Sequence, residues 1–219
     1  MNFSGNTTFR KNLAQELGGG IGATSSTLQF SNHTRFRNNS AGLSDGGIGA
    51  MYSTLNFNDN NAFRNNSAKK RYSGGIYVYI CTLSIKGNAT FQFNSAEQRS
   101  GGIGAIYSTL KFTGNTIFRS NKAGQNDGGG IFAIYSTLKF NGDTVFRNNS
   151  AERAGGGIRA SDSTLNFIGN TTFKQNSADL ADGGGISIWN STLNFIGNTT
   201  YRNNSAKQRG EESAHSMAL

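Results

Sequence analysis

A Gly-Gly-Ile triplet recurs along the chain and fixes the length of a repeat. Consecutive isoleucines of these triplets lie alternately 27 and 28 residues apart, and they are Ile21, Ile48, Ile76, Ile103, Ile131, Ile158 and Ile186. Self-similarity at a fixed period of this length indicates units that stack on one another. We therefore predict a single repeat domain over residues 1–206, with coils starting near residues 19, 46, 74, 101, 129, 156 and 184. Residues 207–219 break the pattern and are expected to form a disordered or frayed tail.

The apolar residues within a repeat are spaced by two, as in Ile131-x-Ala133 and Leu138-x-Phe140. This spacing places alternate side chains on one face of a strand, and no i, i+3, i+4 stripe indicates a helix. Aromatic and β-branched residues, which favour strands, occupy most of the large apolar positions. Each repeat is therefore predicted to form three short strands with the patterns GIxAxxS, TLxFxGN and TxFxxNxA. Gly-Gly, Gly-Asn and Asn-Asn pairs would form the corners.

One repeat has too few large side chains to offset the conformational entropy lost when its backbone is ordered. Stacked repeats overcome this deficit, because each strand pairs in parallel with its equivalents one coil away and all coils share one core. The sequence therefore predicts an all-β, right-handed parallel β-helix of the pectin-lyase-like type. It would have about seven coils that each rise by about 4.8 Å. A left-handed helix would need a hexapeptide rhythm, which is absent.

The same residue type recurs at equivalent positions, so that like side chains would stack on like. An asparagine stands three residues after the second aromatic position of every repeat that begins with Gly-Gly-Ile. Side-chain amides stacked in this way can form a hydrogen-bonded ladder. The predicted structural ladder consists of Asn39, Asn66, Asn94, Asn121, Asn149, Asn176 and Asn204.

The tandem combination of GGI with FxxN resembles the GGAI and FxxN repeats of the chlamydial polymorphic membrane proteins and of related eukaryotic right-handed β-helix repeat proteins. The resemblance extends from Phe9 to Ala206. It implies a surface or secreted protein, extracellular or at the cell surface, and often an adhesin. On this basis we expect a non-catalytic structural or adhesive segment that contacts a host or cell-surface receptor.

Positive charge is concentrated at the position that follows the second aromatic residue. The chain has 21 Lys and Arg against 12 Asp and Glu, a formal net charge of +9, which favours anionic partners. Because the aromatic side chain points inward, the next side chain must point outward. We predict that a sulfated or acidic glycan binds this column, or that the column is simply a solvated face. Its cations are Arg10, Arg37, Arg64, Arg119, Arg147, Lys174 and Arg202, with Gln92 at the one uncharged position. No nucleic acid partner is expected.

Signals for catalysis, metals or cofactors are weak, and we assign none of the three. The acidic residues are scattered over the loops, His33 and His215 lie far apart in sequence, and Cys81 takes a position that is serine in the other repeats. An alternative is a polysaccharide-binding or polysaccharide-active protein of the pectin-lyase class, which would need clustered acids. A weaker alternative is an ice-binding face. It would use the threonine column Thr27, Thr54, Thr82, Thr109, Thr137, Thr164 and Thr192.

The two ends of the sequence lack the atypical capping repeats that usually cover a solenoid. The chain opens in the middle of a repeat, and the pattern stops after Ala206. No segment reaches the length of about 18 apolar residues typical of a membrane helix, and no signal peptide is recognisable. We therefore expect a fragment of a longer protein, with exposed core residues at both ends that promote end-to-end self-association.

Overall fold

The computed structural model describes residues 1–207, which form 31 strands in four parallel sheets and contain no helix. The chain winds through the four sheets in turn and then begins the next coil one strand further along each sheet. The predicted all-β parallel solenoid is therefore confirmed. The tail predicted for residues 207–219 lies outside the described residues except for Lys207.

Two of the sheets carry the first half of each coil. Sheet I begins at the Gly-Gly-Ile triplets and contains Ile21–Thr24, Ile48–Met51, Ile76–Tyr79, Ile103–Ile106, Ile131–Ile134, Ile158–Ser161 and Ile186–Trp189. Sheet II contains Asn2–Phe3, Thr27–Phe30, Thr54–Phe57, Thr82–Ile85, Thr109–Phe112, Thr137–Phe140, Thr164–Phe167 and Thr192–Phe195. A one-coil shift thus relates every strand of a sheet to the next.

The other two sheets complete the coil. Sheet III contains Thr7–Arg10, Thr34–Arg37, Asn61–Arg64, Ala89–Gln92, Thr116–Arg119, Thr144–Arg147, Thr171–Lys174 and Thr199–Arg202. Sheet IV contains the two-residue strands Leu13–Ala14, Ser40–Ala41, Ser67–Ala68, Ser95–Ala96, Lys122–Ala123, Ser150–Ala151, Ser177–Ala178 and Ser205–Ala206. A loop then leads from sheet IV to the next strand of sheet I.

The solenoid has eight turns, so the prediction of about seven coils was slightly low. The prediction counted Gly-Gly-Ile triplets, and sheet I indeed has seven strands. Sheets II, III and IV each have eight, because residues 2–14 supply an additional strand to each of them. These residues pair in register with the next coil, with Phe3 opposite Phe30 and Phe9 opposite Phe36.

Each full coil has four strands rather than the three predicted, because the third predicted strand is divided by a sharp corner. In the second coil, Asn38 has a left-handed φ of 57° and separates Thr34–Arg37 from Ser40–Ala41. The equivalent residue is left-handed in every coil, although it is Phe93 in one and Ser120 in another. A residue in this conformation cannot continue a strand.

Stacked aromatic rings fill the interior. Phe146 is fully buried, and its ring lies 4.8 Å from that of Phe118 on one side and 4.8 Å from that of Phe173 on the other, at interplanar angles of 1°. The ring of Phe167 in sheet II meets Phe146 edge to face, at 6.4 Å. Offset-stacked and edge-to-face contacts are both favourable for aromatic rings. The core thus consists of two parallel columns of rings that contact each other, and the sheet II column is interrupted only by Ile85 within residues 1–207.

The Gly-Gly pairs are required mainly by close backbone packing between coils. A Cβ atom on Gly129 would lie 2.4 Å from the carbonyl oxygens of both Gly156 and Ser150. These atoms belong to the backbone and cannot move aside, so any larger residue would force the coils apart. These contacts explain why glycine pairs occur where the chain enters sheet I, since the backbones of neighbouring coils leave no room for a Cβ atom there.

Candidate functional site

The predicted asparagine ladder lies inside the solenoid. Asn121 donates its side-chain amide to Oδ1 of Asn149 at 3.0 Å and to the carbonyl oxygen of Phe91 at 2.9 Å. Its own Oδ1 accepts the backbone and side-chain N–H groups of Asn94, each at 3.1 Å. The ladder residues from Asn39 to Asn176 are fully buried. Because these hydrogen bonds join consecutive coils at the corner after sheet III, they hold the end of each sheet III strand in position.

The basic column lies on the outer face of sheet III, two residues before the ladder asparagine of each coil. The strand register places Arg10 beside Arg37, Arg37 beside Arg64, and Arg119 beside Arg147. Arg147 is followed by Lys174 and Lys174 by Arg202 in the same register. Neighbouring strands lie about 4.8 Å apart, so the backbone presents the cations as one line along the solenoid.

The side chains of the column are directed to solvent. Lys174 is half-buried, and the six arginines of the column are exposed: Arg10, Arg37, Arg64, Arg119, Arg147 and Arg202. Within residues 1–207, only Asp59 and Asp127 approach a basic side chain closely, and their partners are His33 at 3.2 Å and Arg153 at 3.9 Å. No carboxylate in this part of the chain neutralises the column.

Gln92 divides the basic column into a lower group of three cations and an upper group of four. Gln92 pairs with Arg64 below it and with Arg119 above it. Phe93 follows Gln92 in the sequence. The guanidinium carbon of Arg64 lies 5.8 Å from the Phe93 ring centroid, within range of a cation–π contact. This coil therefore combines an amide and an aromatic ring where the others present a cation and a polar residue.

Polar residues border the column on the side of the corner. Asn65, Asn148 and Asn203 occupy the left-handed corner position and expose their side chains. The serines of sheet IV follow, and the hydroxyl of Ser67 donates to that of Ser40 at 3.1 Å. A ligand along the column would thus meet guanidinium groups, amides and hydroxyls in the same order in several coils. Guanidinium groups match sulfate and carboxylate oxygens, and amides match hydroxyl groups.

Cys81 replaces one serine in a buried column rather than forming a reactive site. Its sulfur accepts the backbone N–H of Ser53 at 3.3 Å, and its own N–H donates to the hydroxyl of Ser108 at 3.0 Å. Burial raises the pKa of the Cys81 thiol, despite hydrogen bonds with the backbone of Ser53 and Tyr79. A buried thiol with a raised pKa is a poor nucleophile.

The structure also places the residues on which the other sequence-based alternatives depend. Within residues 1–207, no three His, Cys, Asp or Glu side chains come together in a group that could hold a metal ion. The threonine column of sheet II is in register, with Thr109 between Thr82 and Thr137. The outward residues beside it vary from Ser84 to Lys111, so the face lacks a second matched column.

The fold and the repeated surface define the protein as a parallel β-solenoid built from one tandem repeat. Residues 143–161 match the Chlamydia polymorphic membrane protein (Chlamydia_PMP) repeat. No curated protein and no solved structure matches the chain. Within residues 1–207 there is no helix long and apolar enough to cross a membrane. The repeat match and the solenoid together fit a structural, surface-associated repeat protein.

Proposed function

We propose that this chain is a non-catalytic, adhesive segment of a surface protein, and that its basic column binds an acidic or sulfated glycan. The observation that carries the proposal is the alignment of seven cations in the register of one sheet, without a neutralising carboxylate among residues 1–207. A linear polyanion laid along the solenoid would contact cations of successive coils. The solenoid itself would serve as a rigid support that presents the column.

Repulsion between the charges of the basic column favours the binding of an anionic ligand. Like charges directly opposite each other on neighbouring strands destabilise a sheet, and this column repeats that arrangement between Arg10 and Arg37 and again between Arg119 and Arg147. A polyanion would relieve the repulsion along the whole column and would release its own counterions. Binding should therefore weaken steeply as the salt concentration rises.

The competing interpretation is a solvated face that keeps coils soluble and prevents lateral association. Under that interpretation the positions of the charges are unimportant, and only the net charge affects binding to a polyanion. The two interpretations therefore predict different losses of polyanion binding when the same number of charges is removed from the column or from another surface.

The test compares two quadruple variants that lose the same charge. The first changes Arg37, Arg64, Arg119 and Arg147 to Ser, and the control changes the exposed Lys69, Lys70, Lys86 and Lys207 to Ser. Binding to immobilised heparin is measured at low and high salt. We expect the column variant to lose binding and the control to retain most of it, while both keep their β-sheet circular dichroism. Equal losses in the two variants would contradict the proposal and favour a non-specific effect of net charge.

A further inference from the structure

A cleft of about 430 Å³ opens between the outer face of sheet I and the loops that lead into it. Its walls include Leu17, Leu43, Tyr72 and Tyr77, and Gly22 lies at its base. The cleft is on a different sheet from the basic column and does not include any of its residues. It is large enough for a compact organic molecule or for one long side chain of a partner.

The cleft lies where two successive coils have glycine at a position that bears a large side chain in some of the other coils. Gly22 and Gly49 follow the first isoleucines of sheet I, whereas Tyr77 and Phe132 take the equivalent position higher in the solenoid and are buried there. A Cβ atom on Gly22 would meet only the carbonyl oxygen of Leu17, at 3.7 Å. This position therefore has room for a side chain that the sequence does not supply.

A buried carboxyl group lines the cleft. Asp45 is only 3% exposed and has a φ of 67°, in a loop position where the other left-handed residues are glycines such as Gly18 and Gly128. Its Oδ1 accepts the hydroxyl of Ser44 at 2.7 Å. Its Oδ2 lies directly above Gly49, where a Cβ atom would come within 2.4 Å of it. No lysine or arginine of residues 1–207 forms an ion pair with Asp45.

Aromatic rings beside the cleft already hold a cation. Tyr72 and Tyr77 are stacked, with ring centroids 4.4 Å apart. The guanidinium carbon of Arg99 lies 5.7 Å from the Tyr72 ring centroid and 5.1 Å from that of Phe132. Ring faces attract cations, most strongly where water is excluded. Tyr72, which lines the cleft, thus already takes part in a cation–π contact, one coil away from the buried carboxyl group.

We propose that the cleft binds an organic ammonium ion. Its apolar stem would pack against Leu17, Leu43 and the tyrosine rings, and its ammonium group would donate a hydrogen bond to the Asp45 carboxylate. The commitment to a cation rests on Asp45, which is buried and forms no ion pair within residues 1–207, whereas Arg71, the cleft's other charged lining residue, is exposed to solvent. An amine-bearing small molecule and a lysine side chain of a partner share this chemistry.

The proposal predicts that binding strengthens as pH rises. Burial raises the pKa of Asp45 to about 7, against the lowering effect of hydrogen bonds from the Ser44 side chain and the Ser73 backbone. The other titratable or charged groups around it are Glu16 on the loop one coil below, Arg71 and Tyr72 on the loop above, and Tyr77 on the strand above. An alkylammonium stays protonated between pH 6 and pH 8. Its affinity should therefore rise by about tenfold over this range, as Asp45 loses its proton.

The probe is phenethylammonium, with 2-phenylethanol as a neutral molecule of the same shape, and binding is measured by calorimetry on the full chain. Asp45→Asn keeps the size of the side chain, and asparagine tolerates a left-handed φ. Gly22→Leu fills the base of the cleft. Asp143→Asn is the matched control, since it removes an exposed carboxylate at a position where most other repeats carry asparagine. Native folding of each variant is checked by its melting temperature.

We expect phenethylammonium to bind to the wild-type chain and to the Asp143→Asn variant with equal affinity. Asp45→Asn should weaken binding by about tenfold or more and remove its pH dependence, while Gly22→Leu should abolish it. Absence of binding to the wild-type chain would overturn the proposal. So would equal affinities for the amine and the alcohol, or an unchanged affinity in folded Asp45→Asn protein. A further probe, Nα-acetyl-lysine amide, should compete with phenethylammonium, and failure to compete would exclude a lysine side chain as the occupant.

Discussion

The inner and outer faces of sheet III are built from the same strands and differ in how strictly their residues repeat. On the inner face, an aromatic residue recurs in every coil, as phenylalanine from Phe9 to Phe173 and as Tyr201 in the last. On the outer face, the residue just before it varies freely and is Arg35 in one coil, Ala62 in another and Ile117 in a third. Ring-on-ring contacts explain why the inner position is constant. Packing gives no such reason for the constancy of the outer basic column, and the glycan site that we propose rests on this difference.

The largest difference in stability is expected between a variant that lacks one inner ring and a variant that lacks one outer apolar side chain. Phe146→Ala should lower the free energy of unfolding by about 3–5 kcal/mol, because it leaves a cavity between two stacked rings. Ile117→Ala is the matched outer change, since that side chain is 41% exposed, and its effect should stay within about 0.5 kcal/mol. Both are measured by chemical denaturation. Equal losses would show that the inner rings do not form the core.

A second, smaller effect should separate buried from exposed asparagines. Asn121→Ala removes the side chain that satisfies the Phe91 carbonyl, Asn149 Oδ1 and the N–H groups of Asn94. Buried polar groups left without partners should destabilise the protein by at least about 2 kcal/mol. The control Asn56→Ala lies on an outward position of sheet II and should be nearly neutral. If both variants melt at the same temperature, the ladder does not hold the coils together.

The smallest change in stability is expected at Cys81, where the interior already accommodates cysteine in place of serine. Cys81→Ser restores the residue found in the other coils and should change stability by no more than about 0.5 kcal/mol. The native protein should also resist alkylation by iodoacetamide, because the thiol is buried and its pKa is raised by burial. Rapid alkylation without unfolding would mean that this corner opens to solvent.

The sequence predicts the inner features of the solenoid well, because each inward residue must fit the same residue one coil away. The two-residue spacing of inward residues such as Leu138 and Phe140 predicts strands, and the recurrence every 27 or 28 residues predicts that equivalent strands pair in parallel. The prediction of about seven coils was low because residues 2–14 have no Gly-Gly-Ile triplet of their own, yet they pair with the next coil.

The corners were harder to predict, because backbone contacts decide them rather than residue type. Left-handed φ angles occur at Asn38 and Asn148, where asparagine favours them, but also at Phe93 and at the β-branched Ile80. Ile80 lies at the corner between sheets I and II, and the others lie at the corner that separates the fourth strand, where no shared residue type reveals the break. The stacked coils impose the conformation on whichever residue is present.

Of the two candidate sites, only the basic column could be recognised from sequence. It repeats in register, so the alternation of inward and outward side chains places its members on one face. The cleft depends on Gly22 and Gly49, which lack side chains, and on Asp45, which lies in the loop that leads from sheet IV to sheet I. Neither the burial of Asp45 nor its position above Gly49 follows from a periodic pattern, and only the folded loop brings them together.

The central claim is that equivalent residues of successive repeats stack at a constant separation, and a pair of distance measurements tests it directly. Nitroxide labels are placed at Thr27 and Thr164, or at Thr54 and Thr192, in a Cys81→Ser background. The strand register separates the members of each pair by five coil-to-coil steps. Electron–electron double resonance should therefore give backbone separations of about 24 Å for both pairs. Two clearly different mean distances, or a distribution spread over tens of ångströms, would contradict the solenoid.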